Sequence, residues 1–114
     1  MDWKSKQIMK FEFDTRKYID ELQKSSNYFH TFINKDTLAA GVLVLQPGEK
    51  DTQAPHDLDE LYYVIRGNGY LKIDKKDYTI EDGKTFFVPK NMEHYFFGNT
   101  KELVVIYFFG GPDS

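Results

Sequence analysis

The sequence predicts an all-β domain with one short helix, built as a barrel or sandwich. Three observations predict it. From Tyr28 onward short apolar runs recur at nearly even spacing, divided by clusters of Gly, Pro, Asn and Asp. Ten Phe, eight Tyr and one Trp make 17% of the 114 residues aromatic, and large rings pack well on a pleated, half-buried surface. Helical spacing of apolar residues occurs in a single stretch, near the N-terminus.

Residues Met9-Lys10-Phe11-Glu12-Phe13 alternate as a short edge or exchanged strand does. Asp14 is placed to cap a helix over about residues 15–24, with Tyr18, Ile19 and Leu22 on one face and Phe13 and Tyr18 as a hydrophobic staple. Strands are then expected at 28–33, 37–46, 60–66, 70–73, 78–80, 85–88, 94–97 and 102–109. Gly67-Asn68-Gly69 reads as a tight hairpin, and Asp74 to Asp77 as another turn. No linker or repeat interrupts the chain. Residues 1–27 are therefore expected as a strand and helix packed on a barrel of residues 28–114, one domain overall.

Fifteen Lys plus Arg against eighteen Asp plus Glu give a formal charge of -3 with no basic block, which argues against nucleic acid or an anionic membrane as partner. The N-terminal residues lack an apolar core long enough for a signal peptide, and no run approaches the roughly 18 apolar residues of a membrane span. A cytoplasmic location is the expectation. With no cysteine, any metal must be held by His, carboxylate or amide groups. Several strands, among them Leu61 to Ile65 and Leu103 to Phe109, are apolar on both faces. Their outward residues need a cover, and a homodimer would supply it.

Gly48 to Gly67 contains the most informative chemistry, because it brings His56 and Glu60 beside a strand that ends in glycine. Imidazole and carboxylate together suit a borderline divalent ion. On one extended strand the two Cα atoms would stand ~13 Å apart, too far for shared coordination. A reversal at Asp57-Leu58-Asp59 would close that distance; a solvated acidic tip is the alternative. A second histidine, His94, follows the strand 85–88 and its turn.

Taken together, the two stretches resemble the two motifs of the cupin superfamily, in the manner of its small single-domain, RmlC-like members. The first motif runs glycine, five residues, His-x-His, three or four residues, glutamate, six residues, glycine; Gly48, His56, Glu60 and Gly67 fall in register, with Ala54 where the first histidine would stand. In the second, Gly83, Pro89 and His94 match, Asn91 replaces a glycine, and Gly98 replaces an asparagine that appears one residue later as Asn99. The resemblance implies an antiparallel double-stranded β-helix, the jelly-roll or cupin barrel, with a divalent transition metal (Fe, Mn, Ni, Zn or Cu) at its mouth. It carries the ligand role onto His56, Glu60 and His94, with the Gln53 carbonyl as a candidate fourth ligand.

Strand parity sends Tyr62 and Val64 inward if Glu60 points inward. Tyr62 then serves as a general acid or base, its pKa lowered by a nearby cation, or as a core tyrosine. Phe87, Tyr95, Phe97 and Tyr107 are expected to include residues lining an aromatic pocket for a small organic molecule. His30 reads as structural. The implied function is a metal-dependent cupin enzyme of dioxygenase, lyase or isomerase type acting on a small molecule; the alternative is a non-catalytic binding or sensor cupin whose metal is structural or absent.

Overall fold

The computed structural model describes residues 10–112. Its elements are α1 (Thr15–Gln23), β1 (Phe29–Lys35), β2 (Leu38–Leu45), β3 (Glu60–Arg66), β4 (Tyr70–Ile73), β5 (Lys76–Thr79), β6 (Thr85–Val88), β7 (His94–Phe97) and β8 (Leu103–Phe109). Every pairing is antiparallel, in a five-stranded sheet ordered β1-β2-β8-β3-β6 and a three-stranded sheet ordered β5-β4-β7. This is the expected jelly roll with one short helix.

The period of two decides what each strand buries. On β3, Glu60, Tyr62 and Val64 are buried while Leu61 and Tyr63 are exposed. The main core gathers Leu43, Leu45, Tyr62, Val64, Leu71, Phe96, Val105, Tyr107 and Phe109 between the two sheets. A second cluster lies outside the large sheet, where Ile19 and Leu22 of α1 pack on Val42, Val44 and Val104. So β2 and β8, apolar on both faces, have one face in the barrel and part of the other under the helix.

Asp14 caps α1 as expected, its side chain accepting from Arg16 N at 3.1 Å. The Phe13 and Tyr18 rings both pack on Phe32, at 5.4 and 4.9 Å between centroids. Phe32 reaches them because the β1–β2 register shifts between Thr31 and Ile33. The strand expected at 9–13 does not form over residues 10–13, whose backbone is irregular; Met9 lies outside the described residues. Glu102, leading into β8, ties three elements together by accepting from Gln23 Nε2 at 3.0 Å, Gln46 Nε2 at 2.7 Å and Arg66 Nη2 at 2.9 Å. Burial pushes its pKa up, but these donors outweigh burial and hold it below the usual carboxylate value.

Gly67-Asn68-Gly69 is a crossing between sheets, not the expected hairpin, since β3 pairs with β6 and β8 while β4 pairs with β5 and β7. Close approach explains the glycines. A Cβ on Gly67 would stand 2.8 Å from Leu103 Cα, and one on Gly69 would stand 2.8 Å from both Asn99 N and Phe97 O. Asn68 locks the crossing, its Oδ1 accepting from Thr100 N at 2.9 Å and its Nδ2 donating to Thr100 Oγ1 at 2.7 Å. The two-residue hairpin is instead Asp74-Lys75, with Ile73 paired to Lys76 and Asp74 at φ 56°; Lys76 and Asp77 belong to β5.

Candidate functional site

Three side chains from the two sheets meet in the interior. β3 turns Glu60 and Tyr62 inward, and β7 brings His94 across from the small sheet. Glu60 is 2% exposed and His94 5%. His94 Nδ1 lies 2.9 Å from Met92 O, and because a carbonyl only accepts, Nδ1 carries a proton. In the neutral ring Nε2 is then bare. It lies 3.0 Å from Tyr62 Oη and 3.1 Å from Glu60 Oε1. The contact with Glu60 is at an ion-pair distance, and both Glu60 oxygens are buried without a hydrogen bond.

Electrostatics follow from this packing. Burial pulls the His94 imidazole down, yet the Glu60 carboxylate, the Met92 carbonyl and the charge of Asp51 outweigh it, so its pKa is raised. Tyr62 goes well above the ordinary phenol value through burial first and the adjacent Glu60 charge second. The sequence-based expectation of a lowered Tyr62 pKa assumed a cation beside it; the groups present in the protein push the other way. Tyr62 is therefore a neutral phenol, which donates to His94 Nε2 when the imidazole is neutral and accepts from it when the imidazole is charged.

Residues 46–59, between β2 and β3, carry the rest of the first motif in an irregular segment. His56 lies on this loop, not on a strand, and its ring packs on Phe109 at 4.4 Å between centroids. Its carbonyl accepts from Asn91 N at 2.6 Å, joining the loops of the two motifs. Asn91 has φ 63°, a left-handed conformation that asparagine tolerates where the family pattern has glycine. The bend falls at Asp57-Leu58, but it does not carry the His56 ring to Glu60 and His94. Among the described residues no three His, Cys, Asp or Glu side chains are grouped to hold an ion. The expected set of three is thus two adjacent groups, Glu60 and His94, with His56 apart from them.

Asp51 emerges as the organiser of this loop. Its Oδ1 accepts from Tyr28 Oη at 3.1 Å, Gln53 N at 3.3 Å and Gln53 Nε2 at 3.1 Å, and its Oδ2 accepts from Phe96 N at 3.0 Å. With its amide nitrogen on Asp51, Gln53 keeps its carbonyl oxygen for another partner. The sequence signal for Asp51 was its place two residues before Gln53, the spacing at which aspartate bonds its own backbone.

A cavity of about 470 Å3 opens between this loop, β1 and β8, and Glu60, Tyr62 and His94 are not among its lining residues. Tyr107 and Phe109 line it and are the cross-strand partners of Tyr62 and Glu60. Of the four aromatic residues expected there, Tyr107 alone takes that place. Since His94 and Val88 point inward, parity turns Phe96 and Phe86 to the core and Tyr95, Phe97 and Phe87 away from it. Tyr28, Phe29 and Ala54 are lining residues the sequence reading missed. His30 is exposed, with its ring 5.2 Å from Tyr18, and Asn99 is a buried brace donating to Leu45 O and Lys101 O.

The donor set fits a divalent ion at two positions. Ligand atoms about 2.1 Å from a shared ion and at right angles stand about 3 Å apart, which matches Glu60 Oε1 and His94 Nε2. The Nδ1–H bond to Met92 O orients His94 as metal-ligating histidines are oriented. An ion there would also satisfy the carboxylate.

The chain belongs to the cupin domain family, which it matches over residues 41–109. It is 26% identical over 100 residues to an uncharacterised protein of Streptomyces coelicolor, covering 84% of this chain and 95% of that one. Its fold is similar to that of an RmlC-like cupin from Shewanella frigidimarina, at TM-score 0.66 and 18% identity over 78% of this chain and 81% of that one. It is also similar to the DMSP lyase DddQ from Ruegeria pomeroyi, at TM-score 0.67 and 18% identity over 73% of this chain and 46% of that one. At such identities these structures speak to the fold.

Proposed function

We propose that this cupin is a metal-dependent enzyme of lyase or isomerase type, acting in the cytoplasm as a homodimer on a small molecule, without nucleic acid or membrane partners. The observation that carries the reading is the buried, unsatisfied carboxylate of Glu60 facing His94 Nε2. Burying a charge without a partner is expensive, and such a group persists where a cation or a reaction uses it. Glu60 and His94 would hold the ion, with Gln53 and His56 on the loop above as further donors. When bound, it would supply Lewis-acid stabilisation of developing negative charge.

The chain's own residues handle the proton. Tyr62, kept neutral by burial, is the acid that would give its proton at Oη and take one back there. Asp51 holds the loop that carries Gln53 against the site, and Tyr107 and Phe109 wall the cavity beneath that loop. This arrangement favours proton transfer over oxygen chemistry, and the fold similarity to a lyase supports it. A binding cupin without metal is the second reading, favoured by Ala54 in place of a ligand and by the packing of His56 on Phe109. The lack of a basic block and the absence, among the described residues, of any helix long and apolar enough to cross a membrane are consistent with the partners proposed.

Elemental analysis of untagged protein tests the reading. Close to one divalent ion per chain is expected in the wild type, with loss in Glu60→Gln and His94→Ala. No uptake after Fe, Mn, Ni, Zn and Cu are each offered would leave the binding module.

A further inference from the structure

The 470 Å3 cavity has a chemical character that bears on what it accepts. Four of its walls are aromatic, namely Tyr28, Phe29, Tyr107 and Phe109, and one charged residue, Asp57, joins them along with His56. Among the described residues no Lys or Arg lines it. An anionic substrate would therefore find no fixed positive side chain there.

Several of the hydrogen-bond donors at its edge are already engaged. Tyr28 Oη donates to Asp51 Oδ1, since a carboxylate only accepts. Thr52 N donates to Tyr28 Oη at 3.1 Å, and Gln53 directs both its backbone N–H and its Nε2 at Asp51. Tyr107 Oη is paired with Thr31 Oγ1 at 2.7 Å. Beside the His56 imidazole and the Asn91 carboxamide, which can donate as well as accept, this edge offers a ligand the Gln53 carbonyl oxygen and the Asp57 carboxylate. An aromatic-walled, acceptor-rich cavity without fixed cations suits a positively charged donor, through ring quadrupoles and a carboxylate together.

We infer that the ligand of this cavity is a small organic cation, an ammonium compound held against the aromatic walls with Asp57 as its counter-charge. This rests on taking this cavity, walled by the strand partners of Glu60 and Tyr62, as the substrate site of the proposed enzyme. The inference disfavours phosphate esters and polycarboxylates, whose recognition uses Arg or Lys.

The test uses three probes of similar shape and different charge: benzylamine, which is an ammonium ion at neutral pH, benzyl alcohol and benzoate. Binding to the full chain, freed of metal by chelation so that no probe can ligate an ion, is measured by titration calorimetry. Benzylamine is expected to bind about tenfold more tightly than benzyl alcohol, and benzoate more weakly than both. Asp57→Asn, at an exposed position where the fold is not at stake, is expected to remove most of the advantage of benzylamine and leave benzyl alcohol unchanged. Phe109→Leu is expected to weaken both. Equal or tighter binding of benzoate, or binding of none of the three, overturns the inference. Metal content is read separately, so ammonium selectivity in a protein that never takes up metal would retain the ligand class and remove the metal enzyme.

Discussion

Glu60 sets the stability of the site at the scale of single residues. Its carboxylate is buried without a hydrogen bond, and its compensation in metal-free protein is the charge on His94 at 3.1 Å. The folded pKa of His94 is raised above the ordinary value of 6.5, so the folded state binds this proton more tightly than the unfolded chain. That contribution is fully present below pH 6.5 and is lost as the pH climbs through the higher folded pKa. Urea unfolding of chelator-treated wild type across that window should therefore show stability falling as pH rises. Glu60→Gln should flatten the dependence, because an amide does not need the proton; an unchanged slope would assign the effect elsewhere. The inward path of Glu60, Tyr62 and Val64 was legible in the sequence, since one known inward residue fixes a strand's parity. The place of His56 was not. It lies in an irregular segment held by Asp51 to Tyr28 and Phe96, contacts that join residues far apart in the chain and leave no local pattern.

Among elements, most strands were legible and their connections less so. The bounds of β3, β4, β6 and β7 follow from apolar runs between turn residues, and α1 from its cap and spacing. Pairing is a property of the sheet. Gly67-Asn68-Gly69 has the composition of a hairpin, but its glycines serve a crossing where backbone meets backbone. The distinction can be measured. Gly69 is at φ 105° and crowded by Asn99 and Phe97, whereas Gly83 is at φ 86° with nothing within 4 Å of where a Cβ would stand. Gly83→Ala should cost only the left-handed backbone penalty, about 1–2 kcal/mol. Gly69→Ala adds a clash with fixed backbone and should cost about 3 kcal/mol or more. Denaturant midpoints compare the two directly, and equal losses would mean that the crossing yields to make room.

The outer face of the large sheet raises the question of assembly for the whole molecule. Val42, Val44 and Val104 of that face are buried with Ile19 and Leu22 of α1, and Ile65 and Ile106 pack against them partly buried. The same face continues past the helix as Leu38, Leu61, Tyr63, Phe87 and Phe108, which remain 37–56% exposed. Leu61 pairs with Phe87 on one side and Phe108 on the other, so three large apolar side chains form one row across β6, β3 and β8. Fully burying such a side chain is worth about 1.5–3 kcal/mol, and contiguous rows of this kind mark contact surfaces. The helix thus provides only part of the cover that the doubly apolar strands called for, and a second copy of the chain is the proposed remainder. Light scattering after gel filtration should give twice the 13.4 kDa chain mass. Leu61→Glu should give the single-chain mass with its circular dichroism retained, because residue 61 is exposed in the isolated chain. A monomeric wild type would overturn the dimer. A Leu61→Glu variant that stays dimeric would move the interface to another face, with the exposed Tyr70 and Tyr95 of the small sheet as the next surface to test.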